Sequence, residues 1–344
     1  MTDKVLVYDP TADDLMSKVR GVGRYLQILR ENFPNWKYIN STSLNQLRGA
    51  GNETIFLNPF FNFLQKPLIL DRIAKKQVAV IHDLIPLKYP NHFPTGIRGK
   101  VHIFLNKMTL KNYDQIVTDS EASKRDIIDI LNIGEEKIKV IYPCLTKVFT
   151  EKKNISRLTL NLPASFCLYV GDATWNKNLV NLAAAIKEIN VSCVFVGKIF
   201  EETKLPNYLH PWQQEFRDFL EEVNGDKRFI FLGFVPDEKL LQLYRQANCN
   251  ILVSRDEGFG FSYLEAASQS CPSILSDIPI LKEISNGGGA LLTNLQDINA
   301  IANAIGEVYF NQVLRNELGA EAEKRSKFFS QKKFKDNFSK FLII

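Results

Sequence analysis

Long apolar runs are missing from this sequence. No window of its 344 residues approaches the roughly 18 apolar residues that a membrane-spanning helix needs. The opening Met1-Thr2-Asp3-Lys4 has no basic region followed by an apolar stretch and leads straight into the strand-like Val5-Leu6-Val7-Tyr8, so no leader peptide is expected. A cytoplasmic protein follows from both absences, and the only membrane association left open is peripheral contact at the inner face. Paired cysteines are missing too. The five cysteines (Cys144, Cys167, Cys193, Cys249 and Cys271) are odd in number and stand singly, which predicts buried structural thiols in a reducing compartment. Strong charge of one sign is also absent. A net charge of +5 and a pI of about 8.8 are too small and too scattered an excess to indicate nucleic acid. They remain compatible with an anionic ligand or loose association with anionic lipid. Neither short repeats nor low-complexity segments interrupt the chain.

What is present is an alternation of short apolar runs with helical patterns, the signature of parallel α/β structure. The first half predicts strands at 4–9, 54–58, 77–82, 115–119 and 137–142, with helices at 23–32, 97–112 and 121–131. Ser120 or Ser123 can cap the last of these. A polar stretch at 150–154 and the Leu162-Pro163 turn read as a linker. The second half predicts strands at 166–171, 193–197, 228–235, 249–254 and 273–276. Its helices fall at 179–189, 212–223, 236–247, 262–270, 298–310 and 316–328. The expected architecture is α/β, with two Rossmann-like doubly wound domains, 1–150 and 151–325, facing a central cleft. The Phe-rich tail, 326–344, is expected to pack back on the first domain as a closing helix. The chain is long for one domain and comfortable for two.

Open parallel sheets bind ligands beyond the carboxyl ends of their strands, and four motifs fall there. Gly21-Val22-Gly23-Arg24-Tyr25 opens a helix, where bare backbone and unpaired amides suit an anion. Leu26 stands where a dinucleotide fingerprint needs glycine, which disfavours NAD. A plain loop-to-helix turn is the alternative. His82-Asp83 ends an apolar run, so the imidazole could meet a sugar hydroxyl or phosphate oxygen, or simply satisfy a neighbouring loop. His92, His102 and His210 read as structural. Gly171 ends a strand and Lys177 stands at a helix start, where a compact cation suits a diphosphate. The fullest motif is Ser254-Arg255-Asp256-Glu257-Gly258-Phe259-Gly260-Phe261-Ser262-Tyr263-Leu264-Glu265-Ala266. It runs from strand through glycine loop to helix, with two carboxylates that can each hold a pair of sugar hydroxyls. Glu265 could instead complement the helix dipole.

Glu257-Gly258-Phe259-Gly260 with Leu264-Glu265-Ala266 resembles the EGFG…LEA signature of retaining glycosyltransferase family four, which has the GT-B fold. Lys177-Asn178-Leu179 resembles its RKNL motif, Gly21 to Tyr25 its GIGRY loop, and His82 to Pro86 its HDLIP segment. The likeness runs in order along most of the chain. It implies that Glu257 touches the transferred hexose beside His82, and that Phe259 and Gly260 donate amides, with Gly258 and Phe261 flanking them. Glu265 would hold the ribose, Val235 and its neighbours the base, and Lys177 the diphosphate, with Gly21, Gly23 and Arg24 approaching it. The reaction implied is retaining hexosyl transfer from a nucleotide diphosphate sugar, with UDP-glucose ahead of GDP-mannose on family frequency. The acceptor would be a glycan or lipid-linked glycan in polysaccharide assembly.

No DxD-type metal motif or other cofactor signature is present, so neither metal nor cofactor is expected, and no nucleic acid. No carboxylate pair for a glycosidase-like double displacement is evident. Asn176 and Asp172 occupy positions where the family carries cations, leaving Lys177 as the loop's cation unless Arg24 or Arg255 compensates. Ser262 replaces a frequent proline and Ser270 the usual glycine before Cys271-Pro272. The rival readings are a nucleotide-sugar-binding subunit without turnover, a GT-B sugar-nucleotide epimerase and, more remotely, a dinucleotide oxidoreductase. Helix 97–112 mixes Arg98, Lys100, Lys107 and Lys111 with large apolar residues. It reads either as a membrane-surface helix or as a core helix with a solvated basic face.

Overall fold

The computed structural model describes residues 4–13, 21–46, 54–151, 161–202 and 210–343. The chain forms two compact units, Met1–Thr146 with Ser330–Ile344, and Lys147–Phe329. Of the expected linker, Thr150 ends a short helix Lys147–Thr150, and 152–154 lie outside the described residues.

The first unit holds a sheet of six described strands: β1 (Lys4–Tyr8), β2 (Lys37–Ile39), β3 (Thr54–Asn58), β4 (Lys76–Val80), β5 (Gln115–Thr118) and β6 (Ile138–Val140). Their order is β2-β1-β3-β4-β5-β6, and every pair is parallel. Such a sheet is covered on both faces, so its strands read as continuous apolar runs. Val78, Ala79 and Val80 are accordingly fully buried. The edge strand β2, three residues with only Ile39 buried, was not expected. The strand expected to reach His82 ends at Val80, which frees His82 for the loop. Ser120, rather than Ser123, caps the helix Glu121–Leu131 by accepting from the Ser123 amide at 3.0 Å. The helix expected at 97–112 is Gly96–Thr109 followed by a single 3-10 turn, Leu110–Asn112.

The C-terminal helix Gln331–Ile343 belongs to this unit. Its Phe338 ring lies 5.9 Å from both Phe33 and Trp36, and the Phe341 carbonyl accepts from Lys76 Nζ at 2.9 Å.

The second unit holds β7 (Cys167–Val170), β8 (Cys193–Val196), β9 (Phe229–Gly233), β10 (Cys249–Leu252), β11 (Ser273–Ser276) and β12 (Ala290–Thr293), ordered β12-β11-β10-β7-β8-β9. Counted within the unit this is the Rossmann order 3-2-1-4-5-6, with its switch point between β7 and β10. Helices Leu179–Ile189 and Ile298–Phe310 begin and end as expected. The helix expected at 316–328 is instead Gln312–Ser326, started by Asn311, whose side chain accepts from the Leu314 amide at 3.1 Å. The short helix Pro279–Ser285 and the edge strand β12 were not expected. Phe195 centres the core, with Phe200, Phe219 and Phe231 within 5.2–5.5 Å of its ring.

All five cysteines are free and buried. Burial pushes the Cys144 thiol up to about 12 and those of Cys167 and Cys193 well above their ordinary value, the condition of unreactive structural thiols. Among the described residues no helix is long and apolar enough to cross a membrane.

Candidate functional site

At the switch point between β7 and β10 the two crossovers leave in opposite directions and open a crevice beyond the strand ends. Gly171 follows β7. A Cβ on Gly197, at the tip of β8, would lie 2.0 Å from the Gly171 carbonyl oxygen, so these tips meet as bare backbone. Trp175–Lys177 then form one 3-10 turn, and Asn178 takes a left-handed φ of 58° before the helix Leu179–Ile189. The Asn178 amide donates to the Val253 carbonyl at 3.1 Å and the Leu295 carbonyl at 2.9 Å. The turn is thereby pinned to the end of β10.

The result is a meeting of side chains 80 positions apart. Lys177 Nζ lies 2.7 Å from Glu257 Oε1, and Ser254 Oγ donates to the same oxygen at 2.6 Å. The Glu257 amide donates to Asp256 Oδ1 at 2.9 Å. Both charged side chains are largely but not fully covered. A cation and a carboxylate, each with a rigid support, therefore share the mouth of the switch point. Ser254 lies in the motif without a role assigned from sequence. Its place three residues before Glu257, just past a strand, was the available signal.

The structure places the residues that the resemblance set apart in this loop. Asn176 is buried, accepts from Thr174 Oγ1 at 2.7 Å and donates to the Asp256 carbonyl at 3.0 Å. It stitches the β7 loop to the β10 loop, a place where an arginine would be desolvated. Arg255 does not compensate for the lost cation. It donates to the Trp175 carbonyl, stacks over the Trp175 ring at 5.0 Å and pairs with Glu215 at 3.1 Å. Asp172 is exposed, and its Oδ1 accepts from the Ala173 amide at 2.8 Å.

Beyond Glu257 and Gly258, the Phe259 side chain is buried, edge-on to Phe261 at 5.2 Å and Phe329 at 5.7 Å. Only its backbone can face a ligand. Gly260, with φ of 94°, precedes the helix Phe261–Ser268 without a side-chain cap. A Cβ there would come 2.8 Å from Ile284 Cδ1, so backbone geometry and packing both demand glycine. An uncapped first turn presents amide donors and partial positive charge. Glu265 is buried on this helix, and its Oε2 accepts from Tyr244 Oη at 3.1 Å. Val235 is buried just past β9, beside the exposed Phe234.

In the first unit, Gly21, Gly23 and Arg24 form the first turn of the helix Gly21–Asn32, where the sequence suggested a loop before a helix at 23. A Cβ on Gly21 would meet nothing within 4 Å. His82 stands past β4 with Nδ1 2.5 Å from Asp119 Oδ2 and Nε2 2.9 Å from the Pro59 carbonyl oxygen. Both neighbours are acceptors, an arrangement that favours a proton on each ring nitrogen and so the imidazolium form. Burial disfavours that charge. The Asp119 carboxylate and its hydrogen bond, with Asp83 and the Pro59 carbonyl, outweigh burial and raise the His82 pKa above its ordinary value. Neither nitrogen is left for a sugar hydroxyl or phosphate oxygen, which is the neighbouring-loop alternative. Asp119 was missed from the sequence although the register contained it. Val80 pairs with Val117 across β4 and β5, so the residues two further on are neighbours.

Residues 150–325, just over half of the chain, match the family model described as Glycosyl transferases group 1. The chain is 30% identical over 234 residues to the O-antigen chain mannosyltransferase RfbU of Salmonella typhimurium, covering 68% of this chain and 61% of that one. It is 26% identical over 242 residues to O-antigen chain mannosyltransferase B of Escherichia coli, covering 66% and 60%. It thus spans less than two thirds of these relatives' length. Among solved structures, Anabaena Alr3699/HepE, determined with UDP and glucose, superposes with a TM-score of 0.72 at 16% identity, covering 98% of this chain and 99% of that one. That likeness bears on the fold, two Rossmann-like parallel sheets as in GT-B glycosyltransferases. With its second unit matched along the switch-point loops and helices described above, the chain belongs to the glycosyl transferases group 1 family.

Proposed function

We propose that the chain transfers a hexose from a nucleoside diphosphate sugar to a glycan or lipid-linked glycan acceptor in polysaccharide assembly. The observation carrying this reading is the Lys177–Glu257 pair, 2.7 Å apart at a switch point, together with the uncapped helix start after Gly260. A diphosphate would draw Lys177 and the amides of Phe259, Gly260 and Phe261 to its oxygens. Glu257 would then be free to accept from hexose hydroxyls. Glu265 holds the ribose hydroxyls, exchanging its bond from Tyr244 for theirs, and the backbone around Val235 flanks the base. Gly171 and Gly258 keep backbone close to the donor. His82, with both nitrogens committed, acts as a positioning residue among the first unit's strand tips, which take the acceptor side.

Family frequency alone favours UDP-glucose. Relatives named as mannosyltransferases move the proposal to GDP-mannose, with UDP-glucose next. The bond between the anomeric carbon and the diphosphate oxygen breaks with its electron pair leaving on that oxygen. The acceptor hydroxyl oxygen bonds to the anomeric carbon from the same face, and its proton passes to the departing phosphate. Configuration is retained. Lys177 and the amides supply the positive field, so activity should survive EDTA, and a full loss restored by Mg²⁺ or Mn²⁺ would refute that part.

The deciding experiment incubates the protein with GDP-mannose, UDP-glucose and other nucleotide sugars and measures the nucleoside diphosphate released with acceptor present. Release of GDP from GDP-mannose is expected. Tight binding of every donor tested with no release would favour the non-catalytic subunit.

A further inference from the structure

The loop that offers the Phe259 and Gly260 amides is held from behind by a residue outside every motif. Arg325 lies in the last turn of the helix Gln312–Ser326. Its Nε donates to the Ile284 carbonyl at 2.7 Å and its Nη2 to the Glu283 carbonyl at 3.0 Å. Both carbonyls belong to the last turn of the helix Pro279–Ser285, where helical partners run out. The carbonyls on either side are met locally, Lys282 by the Asn286 amide and Ser285 by the Gly288 amide, each at 2.8 Å. The Arg325 fork thus completes the end of this helix, and a cation there also suits its dipole.

The helix so held is what Gly260 packs on. A Cβ on Gly260 would come 2.8 Å from Ile284 Cδ1 and 3.3 Å from Leu281 Cδ2, and both side chains are buried. The same guanidinium lies over the Phe329 ring, 5.0 Å from its centroid, and Phe329 is edge-on to Phe259 at 5.7 Å. One side chain therefore reaches both halves of the loop, Gly260 through Ile284 and Phe259 through Phe329. Phe329 is also the last residue of the second unit, and Ser330 the first of the segment returning to the other. No side chain caps the helix start after Gly260, so the direction of these amides depends on that packing.

We propose that Arg325, acting through Ile284 and Phe329, is a positioning residue for the amides of Phe259, Gly260 and Phe261. The proposal rests on the transfer reading, in which those amides meet the donor's diphosphate. Hydrogen bonds weaken steeply with angle, so a loop without its backing keeps its donors but aims them less well.

The test measures, by calorimetry on the full chain, affinity for GDP against GMP and for UDP against UMP. The parent should prefer the diphosphate by at least about tenfold, the worth of one aligned hydrogen bond to a charged group. Arg325→Met keeps an apolar stem beside Phe329 but loses both carbonyl bonds. It should lower the preference by about fivefold or more, a part of what such a bond is worth. Arg325→Lys keeps the charge without the planar fork and should fall with it. Phe329→Leu, which leaves Arg325 in place, should do likewise, and melting above the assay temperature verifies that each variant is folded. A parental preference in Arg325→Met or Phe329→Leu would overturn the proposal and leave Arg325 a helix cap alone. A parental preference in Arg325→Lys would overturn it too, since charge without geometry would then suffice. Absence of any diphosphate preference in the parent would overturn the phosphate site of the transfer reading, and the proposal with it, so the two failures are told apart.

Discussion

The two sheets differ in strand order but each turns about its first strand, and what they do with the polar groups at their strand tips differs more. In the first unit the tip residues are committed inward. His82 gives both nitrogens to Asp119 and Pro59, and Ser123 Oγ donates to the His82 carbonyl at 2.9 Å. In the second unit Arg255 is likewise committed, to Glu215 and Trp175, but Lys177 and Glu257 neutralise each other at the crevice on supports built by Asn176, Asn178 and Ser254. On the proposed function, a strand tip can carry an ionisable residue either as structure or as a group held for a ligand. What separates the two is whether the partner is itself displaceable by something brought to the site.

The largest effect should come from removing that displaceable pair. Lys177→Ala and Glu257→Ala should each lower kcat/KM by on the order of 10²-fold or more, as losing a single transition-state contact does. The double variant should lose less than the product of the two, because each single change strands the other charge. Near-parental rates in both singles would break the comparison, since the pair would then be structural like His82. Next comes Gly260→Ala. A left-handed φ costs a residue with a Cβ roughly 1–2 kcal/mol, and the close approach to Ile284 adds about 1–3 kcal/mol of overpacking. Urea denaturation should show a loss of about 2–5 kcal/mol, and a loss under 1 kcal/mol would mean that the loop relaxes freely.

The fold class was legible because parallel strands covered on both faces leave unbroken apolar runs, as in Val78 to Ile81 or Ile251 to Val253. Edge strands were legible in part. β6 and β9 fall within the expected runs 137–142 and 228–235, whereas the partly exposed edge segments 37–39 and 290–293 were not expected, since they take their strand form from neighbours that only the folded sheet provides. Motif positions were legible in the same way, since glycine and charge after a strand mark a tip. Side-chain commitments were not legible, because they are set by contacts across the sheet. His82 could not be assigned without the β4–β5 register, nor Arg255 without Trp175 and Glu215. Ser270, where the resemblance suggested a glycine, takes a left-handed φ of 58°, a conformation that favours glycine, and its Oγ donates to Glu323 Oε2 at 3.0 Å.

Asn176 tests whether the second unit's pair depends on its supports. Asn176→Ala removes two hydrogen bonds, one of them buried, and leaves the Asp256 carbonyl without that donor, a loss of about 1–3 kcal/mol. Lys177 and Glu257 would be less well aligned, so KM for the donor should rise while binding persists. Asn176→Arg, which restores the family residue, should be no more stable than the alanine variant, because the site is buried and stitched rather than open. A gain in donor affinity with unchanged stability would show that Asn176 is an ordinary substitution at an open cation position.

The smallest effect is expected in the first unit, and it is pH-dependent. Asp119→Asn keeps an acceptor for His82 Nδ1 but removes the charge, so a charged hydrogen bond becomes a weaker one, a difference of about 1 kcal/mol. The folded-state pKa of His82 is raised above its ordinary value of about 6.5. The favourable term is therefore fully present below about pH 6.5 and disappears as pH climbs through the folded value. Urea midpoints of the two proteins should differ most near pH 5.5 and converge at alkaline pH, and the His82 ring resonance should titrate at lower pH in the variant. A stability gap independent of pH, with an unmoved titration, would mean that Asp119 acts by shape alone and that the imidazolium at this strand tip is not held by charge.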